Sequence, residues 1–399
     1  MALGTWHMIH PPSAILIFFS HIHGPDNMDV KPRKEVAELP EAVHGGQAWK
    51  LTCVEDYSQN LNPLGPPEGL ADEIAKAYGC LGHYPDVECT RAREAIAAYY
   101  GLGKENVVMG AGSSEIIRNF PMTFLEPGDR VLMFSPTFAE YARQCGIMGV
   151  RADVVELLPS NDFRIDRNAL TDALDTRQHK ALWLCNPNNP TGRMEKRADL
   201  LDIVRECEEI GTMVFLDETL LSLCKDAEST SLIPFVDDFS NLVIAKSFTK
   251  SFAIPGLRIG YALTNPAIAR EMQKVSLPWN LGAIEQHAAA YLISLRANYV
   301  SEAAITLRKE SEIMQSQLDS VMFPVGPVSD SFFYFVPVSQ FGITGEDMQR
   351  QMLKNGIMVR DCASFGPQFK DYIRYCVKGR EQNATFLAAA EKVMIALGH

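Results

Sequence analysis

Lys250 is framed by Ser247-Phe248-Thr249-Lys250 and followed by Ile254-Pro255-Gly256-Leu257-Arg258-Ile259-Gly260-Tyr261. A lysine set this way reads as the Schiff-base partner of an aldehyde cofactor, with Ser247 and Arg258 spaced to hold a phosphate beside it. Arginine suits that task because its planar fork donates two hydrogen bonds to phosphate oxygens. By itself a lysine with a downstream arginine is an ordinary surface feature, so other motifs must decide. Gly110-Ala111-Gly112-Ser113-Ser114-Glu115 follows an apolar run and opens a helical stretch. Such a turn presents backbone N–H groups and a helix dipole to an anion. Asn186-Pro187-Asn188-Asn189-Pro190-Thr191-Gly192 makes a rigid turn with its side-chain amides held in place. Asp217-Glu218 closes the apolar run 213–216. A carboxylate at a strand end near a sheet centre is costly without a cation, and a protonated pyridine nitrogen would be one. Arg374 lies in the otherwise uncharged run Tyr372-Ile373-Arg374-Tyr375-Cys376-Val377, where a buried guanidinium needs an anion from protein or substrate.

These groups need a frame. Between residues 106 and 261 short apolar runs (107–109, 130–134, 154–155, 181–185, 213–216, 242–245) alternate with helical stretches. Strands alternating with helices imply a mostly parallel sheet covered on both faces, with functional groups in loops at the carboxyl ends of its strands. Residues 281–320 read as a long helical region, 331–336 as a strand and 381–397 as a terminal helix. The expected organisation is an extension over 1–35, a large domain over 81–284, and a smaller α+β domain from 36–80 and 285–399.

Composition narrows the function classes. With 399 residues, 47% hydrophobic and 22% charged, the chain suits a multi-lobed globular enzyme. A formal net charge of −12 argues against nucleic-acid and anionic-membrane partners, while leaving room for a small anion held by a few arginines. The nine cysteines include no CxxC pair, which suits a reducing cytoplasm and argues against a disulfide framework or a zinc site; Cys185 and Cys207 read as core residues. The apolar stretch 14–19 is too short to span a bilayer, and no Lys or Arg precedes Lys31 to make a secretory signal. Residues 1–30 are expected to be disordered or loosely docked, with Met28 a candidate natural start.

In kind, order and spacing, the motifs resemble those of fold-type I pyridoxal-phosphate enzymes of the class I/II aminotransferase group, over roughly residues 44–395. The resemblance implies that Lys250 carries the cofactor and shuttles protons. It implies that Asp217 pairs with the pyridine nitrogen, and Asn189 with the ring's phenolic oxygen. Phe138, in Ser135-Pro136-Thr137-Phe138-Ala139-Glu140-Tyr141, would stack on the ring. Gly112, Ser113, Ser114, Ser247 and Arg258 would hold the phosphate. Tyr84, in Tyr84-Pro85-Asp86, would reach that phosphate from the partner subunit of a homodimer, and Arg374 would take the substrate carboxylate. One position departs from the pattern. Transaminating relatives commonly carry Tyr three residues after the Asp, whereas this chain has Leu220.

Within the group, the chain resembles both histidinol-phosphate aminotransferases and the threonine-phosphate decarboxylases of cobalamin biosynthesis. His44-Gly45-Gly46, the stretch from Asp56 through Asn60 to Gly65, Leu277-Pro278-Trp279-Asn280 and Val359-Arg360-Asp361-Cys362-Ala363 look more like the decarboxylase. The two reactions differ in which bond at the substrate α-carbon stands perpendicular to the cofactor ring, and a second anion anchor on the substrate can set that choice. His44, Asn60, Arg360 and Arg374 are the candidates for substrate contacts. Decarboxylation of an O-phospho-amino acid is the expected reaction, with a histidinol-phosphate-type aminotransferase as alternative. A transcription regulator built on the same fold is a remote third, because the short segment before His44 contains no basic recognition helix.

Overall fold

A computed structural model describes residues 31–39, 48–176 and 178–399. In chain order the strands are β1 (Glu55–Asp56), β2 (Val107–Ala111), β3 (Arg130–Ser135), β4 (Arg151–Glu156), β5 (Ala181–Cys185) and β6 (Met213–Asp217). They continue with β7 (Leu242–Ser247), β8 (Ile259–Thr264), β9 (Phe333–Pro337), β10 (Ile357–Met358), β11 (Arg360–Asp361) and β12 (Tyr372–Cys376). Seven of them form one sheet in the order β2-β8-β7-β6-β5-β3-β4, and only β8 runs against the rest. The sheet is therefore α/β and mostly parallel.

Burial explains why apolar runs mark these strands. Alternate residues serve opposite faces: Leu182, Val214 and Ile244 enter one core, while Trp183, Phe215 and Val243 enter the other. A sheet covered by helices on both sides needs both sets apolar. The sequence series stops at 242–245 and does not mark β8, whose run follows directly on Arg258 and is broken by Gly260. Its direction follows from the connection. Parallel neighbours need a crossover of about a dozen or more residues, usually a helix, and the 248–258 link is a compact turn that carries Lys250.

The helix Ala283–Ser320, 38 residues long, packs on helices Leu70–Ala77 and Thr90–Tyr100 and, further along, on Arg380–Leu397. Beside the last of these, β11, β12 and β9 form an antiparallel sheet, and β1 pairs in parallel with β10. The β1 pairing ties the segment after Asp56 to the C-terminal sheets. The same segment is clamped to the Lys250 turn, where Asn62 N donates to Lys250 O at 3.0 Å and Asn62 Nδ2 to Ser251 O at 2.8 Å. The expected extension 1–35 lies mostly outside the described residues, which begin at residue 31. Among the described residues no helix is long and apolar enough to cross a membrane, and no three His, Cys, Asp or Glu side chains are grouped to hold a metal ion.

Candidate active site

Strands β2, β3, β5, β6 and β7 end on one edge of the large sheet. Because β8 is reversed, it begins there, with Ile259 opposite Ala111 and Gly260 opposite Ser247. Arg258 thus arrives beside the turns that follow β2 and β7. The edge opens on a cavity of about 610 Å³. The large sheet supplies Ser113, Ser114, Phe138, Asn189, Asp217, Ser247, Lys250 and Arg258 to its wall. Asn60, Arg360 and Arg374 face it from the segment after β1 and from the C-terminal sheet.

One end of the cavity is built for an anion. The helix Ser113–Phe124 starts after Gly112 with no side-chain cap, so its first N–H groups are left free. Arg258 packs against Gly112 so closely that a Cβ there would run into its guanidinium, and Gly112 has φ +77°, a region other residues seldom adopt. Arg258 Nη1 also donates to Pro255 O at 3.1 Å. Ser247 caps the short helix Phe248–Ser251, its Oγ accepting from Thr249 N at 3.1 Å.

The middle of the cavity pairs an amine with an acid. Burial, with the charges of Arg374 and Arg258 nearby, lowers the Lys250 pKa from 10.5 to about 8. Near physiological pH most of the amine is therefore still protonated, but its neutral fraction is far larger than that of an ordinary lysine. Asp217 is buried at the end of β6, and its Oδ2 accepts from Tyr141 Oη at 2.7 Å, its Oδ1 from Thr219 N at 2.9 Å. Burial raises the Asp217 pKa, and those two hydrogen bonds oppose the rise. A cation brought to this carboxylate would be held strongly.

At the far end, Arg374 is 7% exposed. Its Nη1 donates to Asn189 Oδ1 and its Nη2 to Ser58 O, while Nε is buried without a partner. Arg360 stands directly opposite Arg374 across β11 and β12. Its Nη2 donates to Ser364 Oγ at 2.6 Å, and its guanidinium lies 5.9 Å from the centre of the Phe365 ring. Asn60 is 3% exposed, with Oδ1 buried and unpartnered. Unpaired buried polar atoms of this kind mark where a ligand would make hydrogen bonds.

The profile of the family described as "Aminotransferase class I and II" matches residues 54–390. The chain belongs to that family. Its members are pyridoxal-phosphate enzymes. The chain is 29% identical to a putative threonine-phosphate decarboxylase of Caldanaerobacter subterraneus, over 89% of this chain and 95% of the relative. It is 30% identical to a histidinol-phosphate aminotransferase of Moorella thermoacetica, over 91% and 90% of the two chains. The structure of a histidinol-phosphate aminotransferase from Sinorhizobium meliloti in complex with pyridoxal-5'-phosphate shares the fold at 20% identity, with a TM-score of 0.81 over 93% of this chain and all of the other.

The residues present fit the family's cofactor. The uncapped helix start, the serines and Arg258 suit its phosphate, and Lys250 offers a partly neutral amine for its aldehyde. Asp217 suits a protonated pyridine nitrogen. Asn189 has its Oδ1 committed to Arg374, which leaves its Nδ2 to donate to a phenolic oxygen.

Of the residues chosen from sequence, most meet at this cavity. Tyr84 is not in its wall: it is 74% exposed and stacks on Trp279 at 4.4 Å. His44 lies outside the described residues. Cys185, read as a core residue, packs against one core and also lines the cavity, because it ends β5 opposite Asp217; its thiol donates to Pro187 O at 3.3 Å. Cys207 is buried in the core as expected. Sequence reasoning assigned no role to Tyr141 or Thr219, the two groups that hold Asp217. For Tyr141 the signal was its place three residues after Phe138, in the same turn that leads into the helix Glu140–Ile147.

Proposed function

We propose that this family member is a carboxy-lyase that removes CO2 from an O-phospho-amino acid. Phosphothreonine giving aminopropanol phosphate is the default, with phosphoserine or a phosphonate analogue as variants. The observation that carries this reading is Leu220, which is 5% exposed and lines the cavity three residues after Asp217. A carbon wall stands where transaminating relatives place a hydroxyl donor, so that control over the cofactor's electronics is missing. The likeness to a putative threonine-phosphate decarboxylase points the same way.

In this reading Arg374 takes the substrate carboxylate and Arg360 the side-chain phosphate, with Asn60 completing the contacts and His44 a further candidate. Two anchored ends leave the substrate one orientation about its α-carbon. When bound, pyridoxal phosphate supplies an electron sink for the pair released at that carbon. Gly112, Ser113, Ser114, Ser247 and Arg258 hold its phosphate, Phe138 lies against its ring, and Asp217 and Asn189 fix the ring's two polar atoms. Lys250 then delivers a proton from Nζ to the α-carbon in place of the CO2 that leaves.

Phosphothreonine incubated with the holoenzyme should release CO2 with no 2-oxo acid present. Turnover that appears only when 2-oxoglutarate is added would replace this reading with an aminotransferase. That second reading is favoured by the likeness to histidinol-phosphate aminotransferases.

We also propose that the chain works as a homodimer in a reducing cytoplasm, as nine free thiols suit. Tyr78, Leu81, Tyr84 and Val87 are exposed in one short stretch, and the stacked Trp279 with Leu277 extends the apolar patch. A second copy covering it would bring Tyr84 toward the partner's phosphate site. Sedimentation equilibrium should give twice the 44.3 kDa chain mass, and a monomer at micromolar concentration would remove Tyr84 from the site.

A further inference from the structure

Side chains alternate along a strand, so Lys246 turns away from the face to which its neighbour Ser247 contributes. It reaches a second cavity, of about 720 Å³, walled by the end of helix Thr90–Tyr100, the 221–234 segment and the middle of helix Ala283–Ser320. Charge at its inner end is unbalanced. Lys246 Nζ meets Glu218 Oε2 at 3.2 Å, and that carboxylate is fully buried and already accepts from Ser231 Oγ at 2.6 Å and Leu232 N at 2.9 Å. Arg296 is 6% exposed, and among the described residues no carboxylate lies within ion-pair distance of it. Its Nη2 donates to the neutral Ser222 Oγ, and its Nη1 is buried with no partner.

At the rim, cations are only loosely neutralised. Lys225 is 3.9 Å from Asp226, and Arg308 is 3.8 Å from Glu312. Glu218, the carboxylate whose charge reaches Arg296, is already paired with Lys246, so the buried guanidinium shares its counter-ion; that is costly, and a bound oxyanion removes the cost. Val300, Ile233 and Ala304 supply an apolar wall beside the charges, and the volume suits a small organic molecule.

We infer that this cavity binds a small organic anion, with a carboxylate or phosphate head on Arg296 and an apolar body along helix Ala283–Ser320. The site is separate from the substrate arginines Arg360 and Arg374.

Phenyl phosphate and benzoate are the probes, titrated calorimetrically into the holoenzyme to count sites per chain. Arg296→Gln should lose one site for at least one probe, with affinity there falling about thirtyfold or more, while the remaining sites stay. The probe affected identifies the head group. Arg296→Lys should recover part of the binding. If Arg296→Gln does not retain cofactor, the rim variant Arg308→Gln decides, with a several-fold weakening of the same site expected. Equal site counts and affinities in wild type and variant, or no site beyond those of the catalytic cavity, would overturn the inference.

Discussion

Lys250→Met is expected to abolish turnover while making the cofactor-free protein more stable. The loss follows from removing both the group that attaches the cofactor and the one that returns a proton, an effect of about 10³-fold or more. Intact-mass measurement after borohydride treatment should show covalent cofactor on the wild type and none on the variant. The gain in stability follows from the amine's environment. The Lys250 pKa is about 8 in the fold, against an ordinary 10.5 in the unfolded chain. Between those values the unfolded chain binds more protons, so the lysine's contribution to stability falls as pH drops from 10.5 toward 8, and its cost is fully present below 8. Replacing it should therefore add about 1–3 kcal/mol at pH 7 and little above pH 10.5. Urea denaturation of both apo-proteins at the two pH values measures this. Equal stability at pH 7 would mean that water in the cavity solvates the amine and that burial does not set its pKa.

Arg360→Gln and Arg374→Gln should each lower kcat/KM for phosphothreonine, by about 30-fold to 10³-fold, since each removes one charge-assisted anchor. They should differ in two other measurements. Arg374 supplies donors to Asn189 Oδ1 and Ser58 O. Removing it strands two acceptors and should cost about 1–3 kcal/mol each in urea denaturation. Arg360 is half-buried and bonds Ser364 Oγ, so its loss should barely change stability. If Arg360 holds the phosphate, Arg360→Gln should also lose most of the wild-type preference for phosphothreonine over threonine, while Arg374→Gln weakens both substrates alike. Equal effects of the two variants on that preference would undo the assignment of ends.

The two variants also show where sequence reasoning reached and where it stopped. Arg374 was marked by its isolation in an apolar run, and Arg360 by its neighbours in the chain. That they stand face to face was not visible, because β11 to β12 pairing is a matter of register between strands several residues apart. Asp217 was legible as a strand-ending acid, but its two hydrogen-bond donors were not. Tyr141 reaches it from the helix after β3, which only the order of strands brings alongside β6. Lys246 and Arg296 carry no motif. Their unbalanced charge appears only once helix Ala283–Ser320 crosses behind the sheet.

By itself the sequence determined the alternating strand and helix plan, and the residues that could attach an aldehyde cofactor, ground its phosphate and face its ring nitrogen. Local chemistry sufficed because each motif sits in a turn directly after its strand. The reversal of β8, the clamping of Asn62 onto the Lys250 turn, the opposition of the two arginines and the burial that lowers the Lys250 pKa were decided by the tertiary structure. Each depends on which distant segments share a face, and a change of solvation or an unpaired charge exists only where those segments meet.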